Sequence, residues 1–87
     1  WMYDISLTKN ATKSYNKLPE KSKNRVETAL NELRYSFTPN TLDVKKLKGF
    51  KNVYRVRLGK WGIIYRVDTE EKSIFVYGIL PRKNAYG

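Results

Sequence analysis

Arg55 and Arg57 stand two residues apart in a stretch that alternates apolar and polar side chains. On a strand they point to one face, roughly 6–7 Å apart. Two guanidinium groups at that spacing can grip a phosphate by bidentate contacts and stabilise charge that builds on phosphorus. Lys46 and Lys48 precede them, Arg82 follows the last strand-like segment, and Tyr86 comes four residues later. A tyrosine, with a reference pKa of about 10, can pass a proton if neighbouring cations lower that value. Such a set suits cleavage of RNA by its own 2′-hydroxyl, a reaction that needs neither a metal nor a protein nucleophile. Arginines at alternate positions also occur on any exposed sheet face, so their spacing alone does not decide between chemistry and solvation.

The rest of the composition narrows the options. The 87 residues contain no His and no Cys. That removes the commonest general base, thiol nucleophiles, disulfides and zinc ribbons. No glycine-rich phosphate loop is present. Asp68, Glu70 and Glu71 fall in an expected turn and read as solvent-facing. No metal and no cofactor is expected. The net charge is +10, from 18 Lys and Arg against 8 Asp and Glu. Residues 1–43 hold 7 basic and 5 acidic residues, and residues 44–87 hold 11 and 3. From Val44 to Val67 there are 8 basic residues and no acid, interleaved with Phe50, Tyr54, Trp61 and Tyr65. This mixture points to a polyanion-binding surface. The aromatics themselves read first as core or sheet packing. No apolar run approaches the roughly 20 residues of a membrane span, and no targeting signal is apparent. A cytoplasmic location is expected.

Periodicity supplies the elements that would position these groups. Met2 to Leu7 alternates and reads as a strand. Thr8 can cap a helix in which Ala11, Tyr15 and Leu18 share a stripe. Pro19 ends it, or opens a second helix from about Glu20 to Tyr35 with Val26, Leu30, Leu33 and Phe37 on its apolar side. Thr38 to Thr41 form a loop around Pro39. Three period-two segments follow: Val53 to Leu58, Trp61 to Val67 and Ser73 to Leu80. Gly59-Lys60 and Asp68 to Lys72 are the turns, and Pro81 is the stop. The last segment is apolar on both faces and is expected to be central. The order strand, helix, helix, three antiparallel strands predicts an α+β fold. It is a single small domain over residues 2–87, with two helices on one side of a mostly antiparallel sheet. Trp1, ahead of Met2, reads as an expression-derived addition.

These residues resemble the RelE/ParE toxin superfamily, nearer its archaeal RelE type. Leu47-Lys48-Gly49 and the run from Tyr54 to Val67 are similar to the family's central hairpin, a K-L-x-G stretch followed by Y-R-x-R-x-G-x-Y-R-x-x-Y. Leu80-Pro81-Arg82-Lys83-Asn84-Ala85-Tyr86 resembles its closing R-x-x-x-Y element. Lys17-Leu18-Pro19 is similar to the link between its helices. The resemblance covers nearly the whole chain in the right order. It implies a microbial-RNase-like fold and the toxin of a type II toxin–antitoxin system. Such a toxin is a metal-independent endoribonuclease that cuts mRNA in the ribosomal A site and is silenced by a cognate antitoxin. Carried over, Arg55, Arg57, Arg82 and Tyr86 are the catalytic candidates; the other cations Lys46, Lys48, Lys60, Arg66 and Lys83 are RNA-binding candidates by their charge. The expected partners are an antitoxin and the ribosome with its mRNA, and no membrane.

One position departs from the pattern. Trp61-Gly62 stands where many members have Tyr-Arg, so Gly62 lacks a cation that active members carry. A natural weak homologue, compensation by Arg66 or Lys60, and a deliberate detoxifying substitution all remain open. Two other readings stay beside the nuclease: a gyrase-inhibiting toxin of the same fold, and a basic RNA- or ribosome-binding module without chemistry.

Overall fold

The computed structural model describes residues 2–81. Among them are five strands and two helices: β1 (Asp4–Leu7), α1 (Lys9–Asn16), α2 (Glu20–Tyr35), β2 (Asp43–Lys46), β3 (Val53–Leu58), β4 (Trp61–Asp68) and β5 (Ser73–Pro81). The sheet order is β1-β5-β4-β3-β2. β2 to β5 pair antiparallel, while β1 runs parallel to β5 with Asp4 beside Ser73 and Leu7 beside Val76. The α+β class and the central place of β5 agree with the sequence reading. The strand β2 does not appear in that reading, so four antiparallel strands replace the expected three.

Local chemistry explains the helices. Thr8 has extended backbone angles and its Oγ1 accepts from the Ala11 N–H at 3.1 Å, satisfying a donor that α1 itself leaves open. Pro19 is the N-cap of α2, one place earlier than a first-turn proline. It still suits that end, because it has no N–H to leave unsatisfied. In α2 the buried side chains are Val26, Ala29 and Leu33. Ala29 completes the stripe where Leu30 is only partly buried. Both helices cover one face of the sheet, and the core between them is built from Ala11, Leu18, Val26, Leu33, Val56, Ile63, Tyr65, Val67, Ile74, Val76 and Ile79. No helix among the described residues is long and apolar enough to cross a membrane.

Two irregularities set which side chains face which way. Gly59 opens the two-residue β3–β4 turn at φ +58, and a Cβ there would lie 2.6 Å from Nη1 of Arg25. The left-handed backbone is what calls for glycine, since the flexible end of Arg25 could move aside. A bulge follows Ile64: Ile64 pairs with Gly78 but Tyr65 pairs with Val76, leaving Tyr77 as the extra residue of β5. Val76 and Ile79 thereby both reach the core.

Candidate functional site

The face of the sheet that carries neither helix collects the cations. Its side chains follow from the register. One row across the strands is Asp43, Arg57, Gly62 and Leu80. The next is Lys45, Arg55, Ile64 and Gly78. A third places Val53 beside Arg66 and Arg66 beside Phe75. The expected pairing of Arg55 and Arg57 on one face is present, opposite Tyr54, Val56 and Leu58 on the helix side.

Arg57 meets a carboxylate: its Nε lies 3.1 Å from Oδ2 of Asp43, with the two side chains 39% and 59% exposed. A pair this open contributes at most about 1 kcal/mol. It holds the guanidinium beside the edge strand β2. Lys45 stands cross-strand from Arg55, within roughly 5 Å at Cβ. Sequence reasoning missed Lys45 and chose Lys46. Lys46 pairs with Tyr54 and therefore faces the helix side of the edge strand. The one-residue difference exchanges the faces, and recognising β2 was the only signal that could have shown it.

The remaining candidates scatter. Lys48 is exposed in the loop between β2 and β3, and Lys60 is exposed in the hairpin turn, the turn that also receives Arg25. Arg66 lies four residues from Gly62, about 13 Å along β4, with its guanidinium carbon 5.8 Å from the Phe75 ring centroid. Compensation for Gly62 by Arg66 is not supported by that placement. β5 ends at Pro81, cross-strand from Trp61. Arg82, Lys83 and Tyr86 lie outside the described residues.

The hairpin aromatics are structural. Tyr65 is fully buried and its hydroxyl donates to the Phe37 carbonyl at 2.6 Å. Burial, with Tyr54 close by, pushes the Tyr65 hydroxyl well above the ordinary tyrosine range, so it remains protonated and donating at neutral pH. Tyr54 stacks on Tyr65 at 5.7 Å, and Phe37 and Tyr3 extend the cluster. Trp61 Nε1 donates to Ser22 Oγ at 3.1 Å, pinning β4 to α2. Trp61→Phe should lower unfolding stability by about 1 kcal/mol and leave RNA affinity unchanged. Urea unfolding and an RNA titration check the two parts, and weakened RNA binding would add Trp61 to the binding residues.

Residues 5–86 match the family described as the ParE toxin of type II toxin–antitoxin system, parDE. The chain belongs to the ParE/RelE toxin family. Toxin RelE3 of Methanocaldococcus jannaschii is 30% identical, over 94% of this chain and 93% of its own length. Among solved structures, the archaeal RelE–RelB complex from Pyrococcus horikoshii superposes on this family member with a TM-score of 0.85 at 30% identity. The match covers 94% of this chain and 97% of that one. The RelB–RelE antitoxin–toxin complex from Methanococcus jannaschii gives 0.76 at 31% identity, covering 92% and 93%. Both the fold class and the family expected from the hairpin motif are thus established for this RelE-type toxin.

Proposed function

We propose that this toxin is a ribosome-dependent endoribonuclease that cuts mRNA in the A site by attack of the RNA's own 2′-hydroxyl. The observation that carries the reading is the row arrangement of Arg55, Arg57 and Lys45 on the helix-free face. In the reaction the 2′-oxygen forms a bond to phosphorus while the bond to the 5′-oxygen breaks. Negative charge on the phosphoryl oxygens rises as this happens, and Arg55 and Arg57 are placed to offset it. Asp43 keeps Arg57 extended across the sheet until the phosphate arrives. The 2′-hydroxyl must lose a proton and the leaving oxygen must gain one. Tyr86 is the candidate for one of these transfers, and Arg82 for a further phosphate contact. Both roles rest on the family resemblance.

The cognate partner in this reading is an antitoxin that covers the basic surface. Two similar toxins have been crystallised in complexes with RelB, and a surface of +10 net charge attracts an acidic partner. The site of action is the translating ribosome in the cytoplasm.

The test is a translating-ribosome mixture given antitoxin-free protein, with cut sites read by primer extension. Arg82→Ala should abolish cleavage. Arg57→Ala should weaken binding of the message roughly 10–100-fold, the value of a charge-assisted contact. A second reading, gyrase inhibition, is favoured by Gly62, which leaves the cell beside Arg57 without a cation. Inhibition of gyrase supercoiling with no cut message would replace the nuclease by that reading.

A further inference from the structure

The loop from β2 to β3 presents an aromatic ring to solvent among lysines. Phe50 is 64% exposed. Lys48 and Lys51 on either side of it are exposed, as is Lys46 at the end of β2. These residues, with Leu47 and Gly49, line an open concavity of about 570 Å³. The loop is shaped by two left-handed residues, Gly49 at φ +84 and Asn52 at φ 59. Its ends are tied by the Leu47 N–H to the Val53 carbonyl at 2.9 Å, and the Asn52 carbonyl accepts from Val67 at 2.9 Å. The ring is therefore held outward by an anchored turn. At this exposure the ring forgoes most of the stabilisation that burial would give it.

The chemistry around the ring selects the occupant. No acidic residue lies between Val44 and Val67, so the loop repels cations and favours a polyanion. It also continues the line of β3. From Arg57 past Arg55 and Val53 to the loop is roughly 17 Å, a few nucleotides of extended single strand. Cations at the phosphates with an aromatic platform for a base is the general design of single-strand binding.

We infer that the 46–51 loop is a second RNA contact, in which a base stacks on Phe50 while Lys48 and Lys51 hold the flanking phosphates. The strand then runs from the cleavage row at the Arg57 end along β3 and turns over the end of the sheet to the platform, whose concavity Lys46 borders from the helix side. Stacking on a phenyl ring is indifferent to base identity, so this contact sets grip and direction rather than sequence preference. The inference rests on the RNA-cleaving reading above and adds a subsite to it.

The probe is a pair of single-stranded 2′-O-methyl RNA oligomers that resist cleavage. One is long enough to run from Arg57 to Phe50, and the other is too short to reach it. A 2-aminopurine at the distal end of the long oligomer reports stacking by its quenching. Phe50→Ala should weaken the long oligomer roughly 5- to 100-fold, leave the short one unchanged and abolish the quenching. Phe50→Trp should keep both affinity and quenching. If the wild type binds the long oligomer and Phe50→Ala binds it equally well, the subsite is disproved and the nuclease reading stands. A Phe50→Ala loss confined to a co-purified antitoxin, with RNA affinity intact, also disproves it and makes the loop a protein contact. If the wild type binds neither oligomer, the subsite is disproved, while the ribosome-dependent cleavage reading still stands or falls on the message-cleavage assay.

Discussion

Gly62→Arg should raise message cleavage in a translating-ribosome mixture by about 10²–10³-fold, the usual value of one preorganised charge contact at a transition state. Gly62 sits in the row of Arg57, on the same face and directly cross-strand. A side chain placed there starts within roughly 5 Å of the Arg57 Cβ and extends the same cationic row. Gly62 is itself buried in the sheet, so the new side chain must run outward past Arg57 and Leu80 to reach solvent, and unfolding stability is measured beside activity. Removing glycine from a strand interior gains about 0.5–1 kcal/mol, and a like charge opposite Arg57 costs a similar amount. Asp43, on the other side of Arg57, offsets part of that repulsion. Arg66 cannot already supply the contact, because it stands four residues away over Phe75. If the variant and the wild type cut equally fast, the missing cation is not limiting. If neither cuts, the nuclease reading is wrong for this chain.

Tyr65→Ala should cost about 3–5 kcal/mol of unfolding free energy. Stability for a domain of this length is on the order of 4–13 kcal/mol, so this one truncation removes a large share. Tyr65 is fully buried at the centre of β4, stacked on Tyr54 and bonded to the Phe37 carbonyl. Its removal leaves a cavity between the sheet and the segment after α2, and it strands an acceptor. Urea unfolding measures the loss, and a change below about 1 kcal/mol would show that the neighbouring aromatics close the gap. Tyr65→Phe separates the two parts, since it keeps the ring and removes only the hydrogen bond, at about 1 kcal/mol. It also predicts a pH effect. The folded-state pKa of Tyr65 is raised, so its contribution is complete below about pH 10 and is lost as pH rises beyond it. The phenylalanine variant should therefore lose stability less steeply in alkali than the wild type.

The elements that bury an apolar face were legible in the sequence. The span of α2, the capping Thr8 and the alternation in β3, β4 and β5 all follow from side-chain period. β2 was not legible, because Asp43-Val-Lys-Lys46 has one apolar residue and the charged composition of an edge strand. Its absence from the reading put Lys46 in the site and left out Lys45, which only the cross-strand register identifies. The salt bridge of Asp43 with Arg57 was hidden for the same reason, as it joins residues fourteen positions apart through that strand pair. The face shared by Arg55 and Arg57 needed only the two-residue period and was legible. The parallel pairing of β1 with β5 was not, because nothing local in Asp4 to Leu7 specifies which strand it will meet.

That pairing has a consequence for the making of the protein. Asp4 waits for Ser73, and the three core side chains of β5, Ile74, Val76 and Ile79, sit in the middle of the hydrophobic interior. At 5–20 residues per second, roughly 3–14 s pass between synthesis of β1 and of its neighbour. During that interval neither the sheet nor its cationic face can be complete. The sheet that positions the cationic row is therefore closed only once β5 has been made and β1 can pair with it.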